Sequence, residues 1–143
     1  MVLTAKDILE KDFISMRAAT SAFEAAKLMK SHHHGFVVVT DETGKPVGVV
    51  TEWDYMSKVT AEGKDPQNLT LRDLMSTDIV WVKSDTDMDS IAQTMSDKGI
   101  RRLLVMKDGR VIGVITSRTV LTRLREYIDR ISSQIARLQS PKI

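Results

Sequence analysis

Gly48-Val-Val-Thr-Glu-Trp-Asp54 and Gly113-Val-Ile-Thr-Ser-Arg-Thr119 are two copies of one stretch, and this repetition decides the fold. Each copy begins with a short apolar run that ends at a threonine, Thr51 or Thr116. This is typical of a buried strand followed directly by a helix. The similarity continues outward from both copies: Leu3-Thr4 matches Leu69-Thr70, Asp7 matches Asp73, Thr20 matches Thr86, Met29 matches Met95, and Gly44 matches Gly109. The chain is therefore predicted to be two tandem repeats, neither of which could bury enough surface alone.

Each repeat is predicted to run strand–helix–strand–strand–helix, because short apolar runs alternate with stretches of helical spacing. The predicted strands are Phe13–Met16, Phe36–Thr40 and Pro46–Thr51 in the first repeat, and Ile79–Val82, Arg102–Met106 and Val111–Thr116 in the second. Ser21 with Glu24 predicts a capping box at the first long helix. Asp108-Gly109 predicts a tight hairpin turn, since both residues tolerate positive φ. The predicted fold class is α/β (α+β): two tandem β-α-β-β-α repeats packed together, with an extended C-terminal helix.

The predicted organisation places the first repeat at residues 1–62, a linker at 63–68, the second repeat at 69–125 and a helical extension at 126–143. Asp65-Pro66 and Gly63 mark the linker as a turn region. From Leu121 onward, apolar residues follow a 3-4 spacing typical of a heptad seam: Leu121, Leu124, Ile128, Ile131, Ile135 and Leu138. Such a stripe either packs on its own domain or contacts a second subunit; we favour the subunit contact, and so expect a homodimer.

The composition is that of an ordinary globular protein: 143 residues, 42% apolar and 28% charged, with no cysteine. Disulfides, thiolate nucleophiles and Cys-based metal sites are excluded. No apolar run approaches the length of a membrane span and no signal peptide begins the chain, so we expect a cytoplasmic protein without membrane contact. The net charge of +2 argues against a dedicated nucleic-acid binder. A cluster of basic residues from Arg118 onward keeps a nucleic-acid-associated regulator as an alternative.

With two motifs in register, the chain resembles a pair of cystathionine-β-synthase-type (CBS) domains, a Bateman module, over about residues 2–125. Members of this family bind adenosine-containing ligands in clefts between the two repeats, and most are sensors without chemistry of their own. The resemblance implies a non-catalytic regulatory module whose ligand is AMP, ADP or ATP and which acts through a protein partner that the sequence does not identify. S-adenosylmethionine or an NAD-type ligand remains an alternative. No nucleophile–base pair or phosphate-binding glycine loop points to an enzyme, and no cofactor is expected.

Thr51 and Asp54 are the candidate ribose contacts, because a carboxylate can accept hydrogen bonds from both hydroxyls of a sugar. Thr-x-x-Asp is also an ordinary helix cap, and only the resemblance favours the ligand role. Arg101 and Arg102 stand where family members often carry residues that reach the phosphates. In the second copy Thr116 keeps the threonine, but Thr119 replaces the aspartate, so one site is expected to bind far better than the other.

The remaining candidates have ordinary structural explanations beside the functional ones. Ile14, Met16 and Val37 are the expected apolar contacts of the adenine, and they could equally be core residues. His32-His33-His34 does not predict a metal site, since no further ligands complete a coordination shell, although one imidazole could lie near a phosphate. For Trp53, which follows Thr51 closely, we favour a packing role over contact with the ligand.

Overall fold

Each repeat forms one three-stranded sheet from the predicted apolar runs. The computed structural model describes residues 3–138. The first sheet has the order β1-β2-β3 and the second β4-β5-β6; in each, the first pair is parallel and the second antiparallel. The strands are β1 (Ile14–Arg17), β2 (Phe36–Thr40), β3 (Pro46–Thr51), β4 (Trp81–Lys83), β5 (Arg102–Lys107) and β6 (Arg110–Thr116). With the helices below, this confirms the predicted fold class. Both leading strands begin one or two residues later than predicted.

The helices begin at identifiable capping residues. They are α1 (Ala5–Ile8), α2 (Ala22–His32), α3 (Glu52–Tyr55), α4 (Leu71–Leu74), α5 (Met88–Lys98) and α6 (Ser117–Leu138). A π-helical segment, Met56–Thr60, prolongs α3, and Pro66–Asn68 forms a 3₁₀ turn in the linker. Ser21 caps α2 by accepting from the amides of Phe23 and Glu24, whereas the Glu24 carboxylate pairs with Lys27. Only half of the predicted capping box therefore forms: Ser21 accepts its hydrogen bonds, but Glu24 does not return one to the Ser21 amide.

The hairpin between β5 and β6 turns at Asp108 and Gly109, whose φ angles are +53° and +76°. This confirms the predicted turn chemistry, because both central residues of such a turn require positive φ.

The short helices α1 and α4 were not predicted, and each packs on the repeat that it does not precede in the chain. Ala5 and Ile8 of α1 lie in a buried cluster with Ile91, Leu103, Val105 and Ile115 of the second repeat. Leu71 and Leu74 of α4 lie in the core of the first repeat. The two repeats thus exchange their leading segments, and neither core is complete without the other half of the chain.

Two glycines allow this exchange. The segment after α4 bridges to β3 at Val49 and Ser76, and the segment after α1 bridges to β6 in the same way. A Cβ atom on Gly48 would lie 2.7 Å from the Met75 sulfur, and one on Gly113 would lie 2.8 Å from the Glu10 carbonyl oxygen. The close approach of the exchanged segment, through the Met75 side chain at Gly48 and partly through the Glu10 backbone at Gly113, therefore explains the glycine that opens each copy of the repeated stretch.

A third buried cluster joins the two sheets face to face. It consists of Phe36, Val38, Leu104 and Val114, with Phe13, Val49, Ile79 and Val111 packed against it. Alternate residues of β2, such as Val37 and Val39, face the opposite way into the core of the first repeat. Both faces of each sheet are covered, which is why the strands read as continuous apolar runs.

The helix α6 carries the predicted apolar stripe on its surface. Ile128 is 52% exposed and Ile135 is 51% exposed, and no residue of α6 is buried. The last part of the predicted extension, residues 139–143, lies outside the described residues. Within residues 3–138, no helix combines the length and the apolar character that crossing a bilayer requires.

Candidate functional site

A cavity of about 210 Å³ opens between the two repeats, next to the cluster that joins the sheets. Its wall is mostly apolar, with a few polar groups, the composition typical of a small-molecule site. The lining residues are Phe36, Val49 and Thr51 from the first repeat, and Asp78, Ile79, Val80, Ile100, Arg101, Arg102, Leu103, Leu104 and Val114 from the second. Of these twelve, only Thr51, Arg101 and Arg102 were predicted from the sequence; the other nine, among them Asp78, Ile79 and Ile100, were missed. Their positions in the sequence could have indicated a site role, because Ile79 begins the predicted strand and Ile100 directly precedes the two arginines.

A second, more open cavity of about 460 Å³ shares Thr51, Arg101 and Arg102 with the first. Its other lining residues are Glu52, Trp53 and Met56. Trp53 is 66% exposed here, so the favoured packing role for this residue is wrong. The two cavities adjoin, and the arginines of one repeat stand beside the threonine of the other.

Asp54 lies behind Thr51 and does not line either cavity. Its carboxylate turns back to cap α3: Oδ2 accepts from the Thr51 amide at 2.8 Å and from the Thr51 hydroxyl at 3.3 Å. The ammonium of Lys58 lies 3.0 Å from Oδ1. The Thr51 hydroxyl thus directs its proton toward Asp54 and accepts from the Asp54 amide in a capping box, which leaves one lone pair to accept from a ligand hydroxyl.

Arg102 reaches from the second repeat to the first. It pairs with Thr116 across β5 and β6, and its guanidinium carbon lies 5.3 Å from the centre of the Phe36 ring. This is the distance of a cation–π contact. Its neighbour Arg101 is exposed, and its carbonyl accepts from the Ser117 amide at the start of α6. Two guanidinium groups at one edge of a cavity form a site suited to an anion such as phosphate.

In the second repeat, the positions equivalent to Thr51 and Asp54 are Thr116 and Thr119, and neither side chain carries a charge. Thr119 accepts from the Thr116 amide at 2.9 Å and donates to the Thr116 carbonyl at 2.7 Å. The helix start is therefore capped by hydroxyls alone, and Thr116 does not line the cavities described above.

The three expected adenine contacts lie in the core of the first repeat. Val37 has no exposed surface, Ile14 is 6% exposed, and Met16 packs against the same cluster. None of them lines either cavity. Because β2 alternates its side chains between two buried faces, Val37 faces α2 while Phe36 faces the cavity.

The three histidines make separate polar contacts, although the rings of His32 and His34 stack with their centroids 6.4 Å apart. His33 ends α2 with a φ of +56°, and the His32 ring hydrogen-bonds to the Leu28 carbonyl. The Nε2 of His34 lies 3.4 Å from the Asp12 carboxylate. In the part of the chain that the structure describes, no group of three or more histidine, cysteine or acidic side chains is arranged to hold a metal ion.

Tyr55 anchors α3 to α2. Its hydroxyl donates to the Ala22 carbonyl at 2.7 Å, and burial raises the pKa of the phenol to about 12. The helix that positions Thr51 and Asp54 is therefore attached to the first repeat at two points, the β3 strand and this tyrosine.

Known proteins share this architecture. A family model described as CBS domain matches residues 5–61 and 71–126. An uncharacterized protein of Methanopyrus kandleri is 32% identical over 134 residues, which cover 93% of this chain and 68% of that protein. The L-aspartate semialdehyde sulfurtransferase of Methanocaldococcus jannaschii is 32% identical over 120 residues; they cover 83% of this chain but only 23% of the enzyme.

Two solved structures are also similar. One is the CBS domain pair of protein MJ0100 in complex with 5′-methylthioadenosine and S-adenosyl-L-methionine: TM-score 0.76, 32% identity, and coverage of 88% of this chain and 98% of that one. The other is a hexameric CBS-CP12 protein from bloom-forming cyanobacteria. Its TM-score is 0.77 and its identity 29%, and the match covers 85% of this chain and 67% of that one.

Proposed function

The chain belongs to the CBS-domain family, and from this premise we propose that it is a regulatory module that binds one adenine nucleotide between its repeats. The observation that carries the proposal is that Thr51 of the first repeat and Arg101 and Arg102 of the second line the same two adjoining cavities. A hydroxyl acceptor and two cations on the walls of the same cavities suit a molecule with a sugar at one end and phosphate at the other.

The inner cavity supplies the apolar part of the site. Ile79, Ile100 and Leu104 form a surface on which an adenine ring could lie, and these residues take the role first expected of Ile14, Met16 and Val37. The ribose would then stand at Thr51, with Asp54 behind it, and the phosphates would extend to the arginines in the open cavity. The ligand is AMP, ADP or ATP.

The arginines favour a phosphate-bearing ligand over S-adenosylmethionine. Guanidinium groups form bidentate hydrogen bonds with phosphate, whereas the sulfonium of S-adenosylmethionine carries a positive charge that two nearby arginines would repel. The MJ0100 domain pair contains S-adenosylmethionine and 5′-methylthioadenosine. The affinity of this chain for those two ligands should therefore be compared with its affinity for ATP and AMP.

Isothermal titration calorimetry with ATP, AMP, adenosine and S-adenosylmethionine tests the proposal. We expect one strong nucleotide site per chain, because only the first repeat supplies a carboxylate. Replacing it (Asp54→Ala) should weaken nucleotide binding by about tenfold or more, since a charge-assisted hydrogen bond contributes about 1.5–3 kcal/mol. The matched variant Thr119→Ala removes the cap of the other repeat and should leave this affinity unchanged. Two equal strong sites, or tightest binding of S-adenosylmethionine, would contradict the proposal.

Self-association is part of the proposed mechanism. The exposed stripe of α6 has the spacing of a coiled-coil seam, and we propose that it packs against the same stripe of a second copy to give a homodimer. The hexameric CBS-CP12 protein supports association as a property of similar chains. A nucleotide bound between the repeats can then regulate a partner protein if it contacts two arrangements of the subunits differently.

A further inference from the structure

A line of polar contacts leads from the cavity wall to the helix that the two repeats exchange. The Thr51 hydroxyl donates to Asp54 Oδ2, and the Lys58 ammonium lies 3.0 Å from Asp54 Oδ1. The same ammonium donates to the Leu74 carbonyl at 2.7 Å. Leu74 is the last residue of α4, the segment that completes the first core from the second half of the chain. Lys58 therefore touches both the proposed ligand site and the exchanged helix.

The second repeat has the same clamp, but without a carboxylate at the start of the helix. Arg123 occupies the position equivalent to Lys58, and its guanidinium donates to the Asp7 carbonyl near the end of α1 at 2.6 Å. Its acidic partner is Glu126, one helical turn further along α6, because the position of Asp54 is taken by Thr119. Arg123 is thus a natural control for Lys58.

Asp54 has few acceptor positions left for a ligand. A carboxylate offers roughly four lone pairs, and the Thr51 amide, the Thr51 hydroxyl and Lys58 use three of them. Two sugar hydroxyls need two acceptors. The bonds to Thr51 form the helix cap, whereas the Lys58 side chain is 44% exposed and can turn into water. Lys58 is therefore the partner that a diol would displace.

We propose that Lys58 couples ligand binding to the packing of α4: its ammonium and the hydroxyls of the ligand compete for Asp54. This rests on the proposed function, since it assumes a sugar at Thr51 and Asp54. When the ligand takes Asp54, Lys58 withdraws and the Leu74 carbonyl loses its donor. By linkage, loosening α4 must favour the ligand to the same extent.

Calorimetry with adenosine as the probe tests the competition. Lys58→Met should bind adenosine about fivefold more tightly than the wild type, the gain expected when a partly exposed ion pair no longer has to be broken. Arg123→Met removes the equivalent clamp and should bind like the wild type. With 2′,3′-dideoxyadenosine the gain should vanish, which a purely structural role of Lys58 would not predict.

Lys58→Gln guards against a variant that fails to fold, because its amide can still donate to the Leu74 carbonyl while the charge is gone. It should show the same gain for adenosine. Unchanged or weaker binding by both Lys58 variants, or an equal gain with the dideoxy compound, overturns the inference and leaves the proposed function standing. Failure of every variant and of the wild type to bind adenosine or nucleotides overturns both.

Amide hydrogen exchange supplies the structural readout. Adenosine should speed exchange in residues 71–76 of the wild-type protein, because α4 loses its clamp, and should leave the equivalent residues 5–10 unchanged. In Lys58→Met, exchange in 71–76 should be fast with or without adenosine. Slower exchange in 71–76 of the wild type on binding would show that the ligand tightens this segment, and would overturn the coupling as proposed.

Discussion

Arg102 lies over the ring of Phe36, with 5.3 Å between the guanidinium carbon and the ring centre, and the two residues occupy equivalent positions in the two repeats. Each pairs with the threonine that ends the neighbouring strand, Phe36 with Thr51 and Arg102 with Thr116. The boundary between the repeats is therefore unsymmetrical at its centre. One side supplies an aromatic face, and the other a cation that this face attracts.

Arg102→Ala should weaken binding of ATP and AMP far more than binding of adenosine. The phosphates lose a charge-assisted partner worth about 1.5–3 kcal/mol, which corresponds to roughly tenfold to a hundredfold in affinity. Calorimetry with all three ligands measures the difference. Arg110→Ala, an exposed arginine at the start of β6, is the control for the change in net charge. Equal losses for all three ligands would show that Arg102 does not contact phosphate.

Gly48→Ala should destabilise the protein by about 1–3 kcal/mol, the usual cost of overpacking, because the new methyl group meets the Met75 side chain. The free energy of unfolding in urea measures this loss. Adding Met75→Ala should restore part of the stability, since the obstacle is a side chain.

Gly113→Ala is the matched case, in which the obstacle includes the Glu10 carbonyl oxygen. Here Leu9→Ala should give little rescue, because a backbone atom cannot be trimmed. If the two double mutants recover equally, the close approach of the exchanged segments does not explain these glycines.

Stability should fall as the pH rises from about 10 to 12, and Tyr55 should account for part of the loss. The pKa of Tyr55 is raised from 10 to about 12 by burial, so the folded protein disfavours the phenolate. The resulting stabilisation is complete below the unfolded pKa and is lost as the pH passes through the folded pKa. Thermal unfolding of Tyr55→Phe should show a shallower decline over this range. Tyr127→Phe should decline like the wild type.

If α6 forms the proposed homodimer, Ile128→Asp should convert it to a monomer without unfolding the chain, since Ile128 is half-exposed and lies in the middle of the α6 stripe. A charge in an apolar seam is costly to bury. Sedimentation equilibrium measures the mass, and circular dichroism checks the fold. Ser133→Asp adds the same charge away from the stripe and should remain dimeric. An unchanged mass for Ile128→Asp would place the subunit contact elsewhere.

Local patterns were sufficient to predict most of the secondary structure. The residues of β2, β3 and the hairpin at Asp108 were predicted correctly, because apolar runs and turn residues act over a few neighbouring positions. The same is true of the repeat itself, which places Thr51 and Thr116 at the ends of equivalent strands. The absence of a carboxylate at Thr119 could also be read directly from the sequence.

Only the tertiary structure decided which surfaces meet. The exchange of α1 and α4 between the repeats depends on contacts between distant parts of the chain, and no local pattern encodes it. The apolar character of Val37 and of Ile79 is similar, yet one is enclosed in the core and the other lines the cavity. The hydrogen bond from the Lys58 ammonium to the Leu74 carbonyl likewise joins the two halves of the chain. Burial and polar partnership are properties of the assembled chain, because each requires atoms that distant segments contribute.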